Sequence, residues 1–124
     1  MWGWWKKFLG DEGERAAARF LRRQGFRVLA RQYRSAYGEI DLIAEDGDWL
    51  VFVEVKTRRG EEAGRPEEAI TADKQRRMTR AATAFVQQRK LHARRTRFDV
   101  VAVTWPEGAK QPQIQHYRHA FEAV

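Results

Sequence analysis

Apolar positions along this chain switch between helical spacing and two-residue alternation, and the switches mark its elements. Ala17, Ala18 and Leu21 share one helical face with Glu14 at its head and Phe20 beside it. Arg15, Arg19, Arg22 and Arg23 take the other side. This pattern predicts a helix over residues 11–24, stopped by Gly25. Residues 26–31 read as a short strand. Strands over 39–45 and 48–56 follow, turning at Asp46-Gly47, a strong hairpin signal. A two-residue loop there sets Ile40 opposite Val53, Leu42 opposite Val51 and Ala44 opposite Trp49, an all-apolar face. The other face then pairs Ile43 with Leu50, Asp41 with Phe52, and Glu39 with Glu54.

Residues 57–66 form a polar, Gly-containing loop long enough to gate a site. A second helix is predicted over 72–90, with Thr71 as N-cap, Asp73 in the first turn, and Met78, Ala81, Ala82, Phe85 and Val86 facing inward. Residues 98–104 read as a buried strand and 113–117 as a short edge strand. The order is helix, three-stranded meander, helix, strand: an α/β fold with a mixed central sheet flanked by helices. No repeat or linker divides the chain, so residues 1–124 read as one domain with a Trp-rich extension over residues 1–9.

Composition narrows the class. The 43% hydrophobic and 33% charged content fits a soluble globular domain. The absence of cysteine excludes disulfides, Cys-ligated zinc and thiol nucleophiles, and fits a cytoplasmic location. No run is long enough to span a membrane. The start, MWGWWKKFLG, lacks the apolar core and cleavage site of a signal peptide. It is expected to pack on its own domain or on a neighbouring subunit. The alternative is that Trp2, Trp4 and Trp5 engage a membrane interface or protein partner.

The net charge of +7 comes from one block. Between residues 73 and 97, nine cations against the single acid Asp73 give a local charge of +8, so the remainder of the chain sums to −1. Lys74, Arg77 and Arg80 lie on one helix stripe, with Arg76 nearby and Arg94 and Arg95 in a following cluster. Few acids intersperse these cations, as expected of a surface that binds a phosphate backbone. His92, His116 and His119 have no metal-ligand spacing and read as surface or nucleic-acid contacts.

The acids are concentrated elsewhere. Phe52, Glu54 and Lys56 share a strand face, and in the register above Asp41 lies diagonal to Glu54, roughly 7–8 Å away at the backbone. Two carboxylates at that spacing can share a hydrated Mg²⁺. Such an ion activates water and clamps a phosphate, and a lysine alongside offsets charge in the transition state. A cross-strand acid–base network is the plain alternative. Glu39 facing Glu54 argues against it, because like charges directly opposite destabilise a sheet.

An Asp followed on the next strand by Glu-x-Lys, after a helix carrying Glu, resembles the core of the PD-(D/E)xK nucleases, which include restriction endonucleases and Holliday-junction resolvases. More closely, the chain resembles the YraN-like family of small, largely uncharacterised bacterial proteins. The match is carried by Gly13-Glu14 with Ala17, Gly38-Glu39-Ile40-Asp41-Leu42-Ile43, and Val51-Phe52-Val53-Glu54-Val55-Lys56-Thr57-Arg58. It continues in Glu68-Ala69-Ile70 with Lys74, in Arg97-Phe98-Asp99-Val100-Val101 and in Ala120-Phe121. The chain departs from the family where Asn-x-Arg is usual and Gln32-Tyr33-Arg34 stands instead. The resemblance implies a restriction endonuclease-like core and a site with Asp41, Glu54 and Lys56 in catalytic roles. Glu14, Asp41 and Glu54 would be ligands of Mg²⁺ or Mn²⁺, with Glu39, Thr57 and Arg58 as accessory residues. It implies DNA as partner, with RNA open, and a homodimer by analogy with junction resolvases. Three functions follow: a metal-dependent endonuclease acting on DNA, including branched DNA; a non-catalytic DNA- or RNA-binding module on the same fold; or an interaction protein using the Trp-rich start.

Overall fold

A computed structural model describes the backbone of residues 2–60 and 70–124, and the side chains of residues 10–60 and 70–124. The chain runs α1 (Trp2–Arg23), β1 (Arg27–Ser35), β2 (Gly38–Asp46), β3 (Trp49–Arg59), α2 (Ala72–Arg89), β4 (Arg95–Trp105) and β5 (Gln113–Phe121). The strands form one sheet in sequence order. β3 and β4 are parallel and every other neighbouring pair is antiparallel. This is the mixed α/β architecture the sequence predicts, with α2 as the crossover between the two parallel strands.

Local chemistry sets the ends of both helices. Phe26 N–H bonds the Leu21 carbonyl at 2.9 Å and Gly25 N–H bonds the Arg22 carbonyl at 3.0 Å, with Gly25 at φ 94°. That is a Schellman motif, and Leu21 and Phe26 pack together in the core behind it. At the head of α2, the Thr71 hydroxyl accepts the Lys74 N–H at 3.1 Å, the capping bond expected of a threonine there.

Each helix covers one face of the sheet. Ala16, Ala17, Ala18 and Leu21 of α1 bury against Leu42, Ala44, Val51, Val53, Val101 and Val103. Met78, Ala81, Ala82 and Phe85 of α2 bury against Ile40, Ile43, Leu50, Phe52 and Phe98. β3 and β4 are therefore apolar on both sides, as parallel strands under two helical layers must be.

Several boundaries differ from the sequence reading, among them the start of β4, at Arg95 rather than residue 98. α1 begins at Trp2 rather than near residue 11, so its backbone takes in the Trp-rich start; the side chains there lie outside the described residues. β1 continues to Ser35 and β5 to Phe121. β3 continues to Arg59, because its parallel ladder with β4 holds as far as Arg59 opposite Trp105. Thr57 and Arg58 are therefore strand residues, and the rest of the expected gating loop, from residue 61, lies outside the described residues.

The β2–β3 turn sits one residue later than expected, at Gly47-Asp48, with Gly47 at φ 58°. Leu42 pairs with Val53, Ala44 with Val51 and Asp46 with Trp49. Every pairing has moved by two residues. Because side chains alternate with period two, Leu42, Ala44, Val51 and Val53 still share a face. The alternation fails at Asp41, where Ile40 joins the α2-side core instead of the face it was assigned with Leu42.

One polar cluster within the core is on β4. Asp99 is 0% exposed, and its carboxylate accepts bonds from Arg97 Nε at 3.0 Å and the His119 N–H at 3.1 Å. His116 Nε2 lies 2.8 Å from its other oxygen. Arg97 extends the network to Asp46 at 3.0 Å, which Arg118 reaches from the surface at 3.1 Å. His116 is thus a nearly buried partner of Asp99, not the surface contact expected. Its ring packs edge-on against Phe20 and Phe26. Burial alone would raise the Asp99 carboxyl, but the bonds from His116 and Arg97 outweigh it and hold it below the usual range.

α1 approaches β3 closely at Gly13. A Cβ built there would overlap the Thr57 hydroxyl and stand 3.1 Å from the Thr57 Cβ. Alanine is the better helix former by about 1 kcal/mol, while overpacking costs about 1–3 kcal/mol. Gly13→Ala is expected to lower stability by up to about 2 kcal/mol in urea unfolding, and the double variant with Thr57→Ala to recover most of it. A stabilised Gly13→Ala would show that this approach is not tight in solution.

Candidate metal centre and its basic rim

Asp41 stands where β2 leaves β3. The ladder ends at Leu42 opposite Val53, and the Asp41 carboxylate accepts the Val55 N–H at 2.8 Å. This brings Asp41 beside Glu54 itself, close enough for the Glu54 charge to act on the Asp41 carboxyl, rather than diagonal to it across Phe52. Glu39 is not opposite Glu54. It pairs with Arg34 of β1, 2.7 Å from Nε, so the like-charge argument transfers from Glu39 to Asp41.

Glu54 is 4% exposed and faces two ammonium groups, Lys56 at 3.6 Å and Lys74 at 3.5 Å. Lys56 follows two residues along the same strand face, while Lys74 comes from the first turn of α2. Thr71 caps that turn and so fixes where Lys74 starts. One Glu54 oxygen, Oε1, is buried without a hydrogen-bond partner.

Glu14 enters from α1. It lines a cleft of about 340 Å³ with Gly10, Asp11, Gln32, Arg34, Glu39 and Asp41. Glu54 does not line this cleft; Asp41 connects it to the opening. Glu14 Oε1 is likewise buried with no partner. Desolvation raises the Glu14 carboxyl, with the Gln32 amide partly opposing and Asp11 adding to the rise.

Burial is also the main reason the Asp41 carboxyl is pushed up to about 8. The neighbouring Glu54 charge adds to it, and the Val55 N–H works against it. Two carboxyl groups in one desolvated place cannot both ionise cheaply without a cation. Unsatisfied oxygens on Glu14 and Glu54, with Asp41 between them, are a donor set suited to a hard, oxygen-seeking divalent ion. Among the described residues no group of three or more His, Cys, Asp or Glu is already drawn together as a cage.

The other residues singled out in the sequence fall into separate places. Thr57 packs on Gly13 rather than facing the carboxylates, and Arg58 follows it on β3. Arg76 and Arg77 are exposed and both reach Asp73, at 3.7 and 3.1 Å, while Arg80 is exposed further along α2. Arg94 grips the β2–β3 turn, 2.6 Å from Glu45 and bonded to the Asp48 and Gly47 carbonyls. Arg95 lies over Trp49, 4.6 Å from the ring centroid. Arg95 pairs with Trp49 and Glu54 lies five residues further along β3, about 17 Å away at strand rise, so these two arginines do not join Lys74 and Arg77 at the site.

Two contributors were not singled out beforehand. Asp11 shares the cleft with Glu14 at helical spacing i, i+3, a signal present in the sequence. Gln32 bonds Asp11 at 3.1 Å and its amide acts on the Glu14 carboxyl, from a left-handed backbone at φ 51°. Asparagine tolerates that conformation better than glutamine.

Residues 13–103 match the family described as Uncharacterised protein family UPF0102. A UPF0102 protein of Rhodococcus opacus (strain B4) is 53% identical over 113 residues, covering 91% of this chain and 95% of that protein. A UPF0102 protein of Symbiobacterium thermophilum is 50% identical over 114 residues, covering 90% and 97%. One of Geotalea daltonii is 45% identical over 116 residues, covering 94% and 91%. With the matched segment spanning both the carboxylates and the sheet that carries them, the chain belongs to the UPF0102, or YraN-like, family and has a restriction endonuclease-like core.

Proposed function

We propose that this protein is a divalent-metal-dependent phosphodiesterase that hydrolyses DNA, branched DNA included. The observation that carries the reading is the closeness of the Asp41 and Glu54 carboxyl groups in a desolvated setting, with one unpartnered oxygen on Glu54 and another on Glu14, which shares a cleft with Asp41. Asp41, Glu54 and Glu14 would hold Mg²⁺ or Mn²⁺, which when bound supplies electrophilic activation of the phosphate and acidifies a water nucleophile. Lys56 neutralises Glu54 in the resting protein and is placed to offset negative charge gathering on the phosphate during attack. Gln32 and the close packing of Gly13 on Thr57 hold Glu14 toward the cleft. Lys74, Arg77 and Arg80 along α2 give the DNA backbone a track that ends at Glu54.

A second reading has its own support. Lys56 and Lys74 already balance Glu54 without an ion, as suits a binding module that keeps the fold without the chemistry. Cleavage assays separate the two. On duplex, single-stranded and four-way DNA, cutting is expected only with Mg²⁺ or Mn²⁺, and Asp41→Ala, Glu54→Ala and Lys56→Ala are each expected to lower the rate at least about 100-fold. Equal cutting by wild type and all three variants would point to a contaminant and leave the binding module.

Proton linkage gives a readout independent of cleavage. The folded Asp41 carboxyl titrates near 8 against an ordinary value of 3.8, so between those values the folded state holds a proton that the unfolded state has released. Metal-free stability should therefore fall as pH rises through that window. Asp41→Asn removes the fall and is expected to raise the metal-free melting temperature at pH 8. At pH 7, Mg²⁺ or Mn²⁺ uptake should release about one proton, read by calorimetry in buffers of different ionisation enthalpy. Uptake without proton release would remove the cation from this carboxylate pair.

DNA affinity should fall steeply with salt. The combined Arg77→Gln and Arg80→Gln variant is expected to bind more weakly and to flatten the log–log salt slope by about 0.9 for each phosphate that is no longer neutralised. A salt-independent affinity would contradict the backbone track.

A further inference from the structure

Tyr37 is 54% exposed, and among the described residues the only other large hydrophobic side chain so open to solvent is Val124. An isolated exposed aromatic needs no explanation, but this one is presented by a built support. It occupies the two-residue turn between β1 and β2, closed by Ser35 opposite Gly38. The Ser35 hydroxyl accepts the Tyr37 N–H at 3.1 Å and donates to the Gly38 carbonyl at 3.1 Å, bracing the turn from inside. Gly38 then presses the turn onto α2. A Cβ there would come 3.3 Å from the Arg77 Cβ and 3.7 Å from its carbonyl oxygen. The turn that carries the ring thus packs beside Arg77 of the basic helix and follows closely on Arg34 of β1, which itself lines the acidic cleft.

Asp41 lies four residues on from Tyr37 along the chain and three along β2 from Gly38, about 10 Å at strand rise. That span corresponds to about three stacked nucleotides of one strand. An exposed aromatic on a braced turn, with arginines on the adjoining elements, is what single-stranded nucleic acid stacks on. A continuous duplex, whose bases are already stacked on each other, gives such a ring nothing to hold.

Resting on the phosphodiesterase reading, we propose that Tyr37 stacks on an unpaired base about three nucleotides from the scissile phosphate. The substrate class is then DNA with locally unpaired strands, such as single strands, bubbles and the open centres of branches. Arg77 and Arg34 hold the phosphates on either side of that base, and the braced turn presents the ring with little ordering to be done on binding.

The test is equilibrium binding in EDTA, where no cleavage occurs, using the full-length protein and fluorescently labelled 30-nucleotide DNA in three forms: single strand, blunt duplex, and the same duplex with a six-nucleotide bubble. Tyr37→Ala and Tyr37→Leu are expected to bind single strand and bubble about 5- to 150-fold more weakly while duplex affinity stays within about twofold. Tyr37→Phe and Tyr37→Trp should retain wild-type preference. Equal weakening on all three DNAs, or none, overturns the stacking role while leaving the phosphodiesterase reading to its own cleavage assay. Wild-type protein that binds none of the three overturns both.

Discussion

The closeness of Asp41 and Glu54 opposes folding, and the rest of the fold is arranged to sustain it. Two carboxyl groups held together away from water repel when ionised, and one remains protonated well above its ordinary range. Such a pairing persists only where the surroundings over-determine it. Here β3 is fixed by an eleven-pair parallel ladder to β4 and is apolar on both faces through Val51, Phe52 and Val53. Asp41 is fixed in turn by the Val55 N–H. A site of this kind keeps its repulsion unrelieved within the fold.

The second buried acid shows the contrast. Asp99 is as deeply buried as any residue described, yet its oxygens are satisfied by Arg97, His116 and the His119 N–H, and its carboxyl is held low. A saturated acid of this kind ties β4 to the irregular end of β5 and to the β2–β3 hairpin through Asp46. The unsaturated oxygens of Glu14 and Glu54 tie nothing. Within one small fold, hydrogen-bond completeness separates the acid that builds structure from the acids open to a ligand.

Most of the fold was legible in the sequence because it rests on periodicity. The helical stripes, the Asp-Gly turn and the apolar run at 98–104 each specify an element and its inward face. The turn position was off by one residue, yet the faces survived because the error moved every pairing by two. What could not be read was the break in alternation at Asp41. Nothing in Gly-Glu-Ile-Asp-Leu-Ile announces that Ile40 and Leu42 go to opposite sides of the sheet, since that is decided by the Asp41 side chain taking a backbone bond from β3. The Asp99–His116 pairing was equally hidden, joining residues 17 apart across a strand irregularity. The basic block looked continuous as a string, but Arg94 and Arg95 are spent at the far end of the sheet.

The strand order carries a consequence for self-association. Among the described residues, a sheet running β1 to β5 has two borders without a strand partner, and they are not equivalent. β1 carries Gln32 and Arg34, which form one wall of the acidic cleft, whereas β5 lies across two further strands from Asp41's own. Two copies paired along β1 would bring their clefts near the shared seam, while two paired along β5 would leave the clefts away from it. The border a partner chooses therefore decides how near assembly brings the two sites.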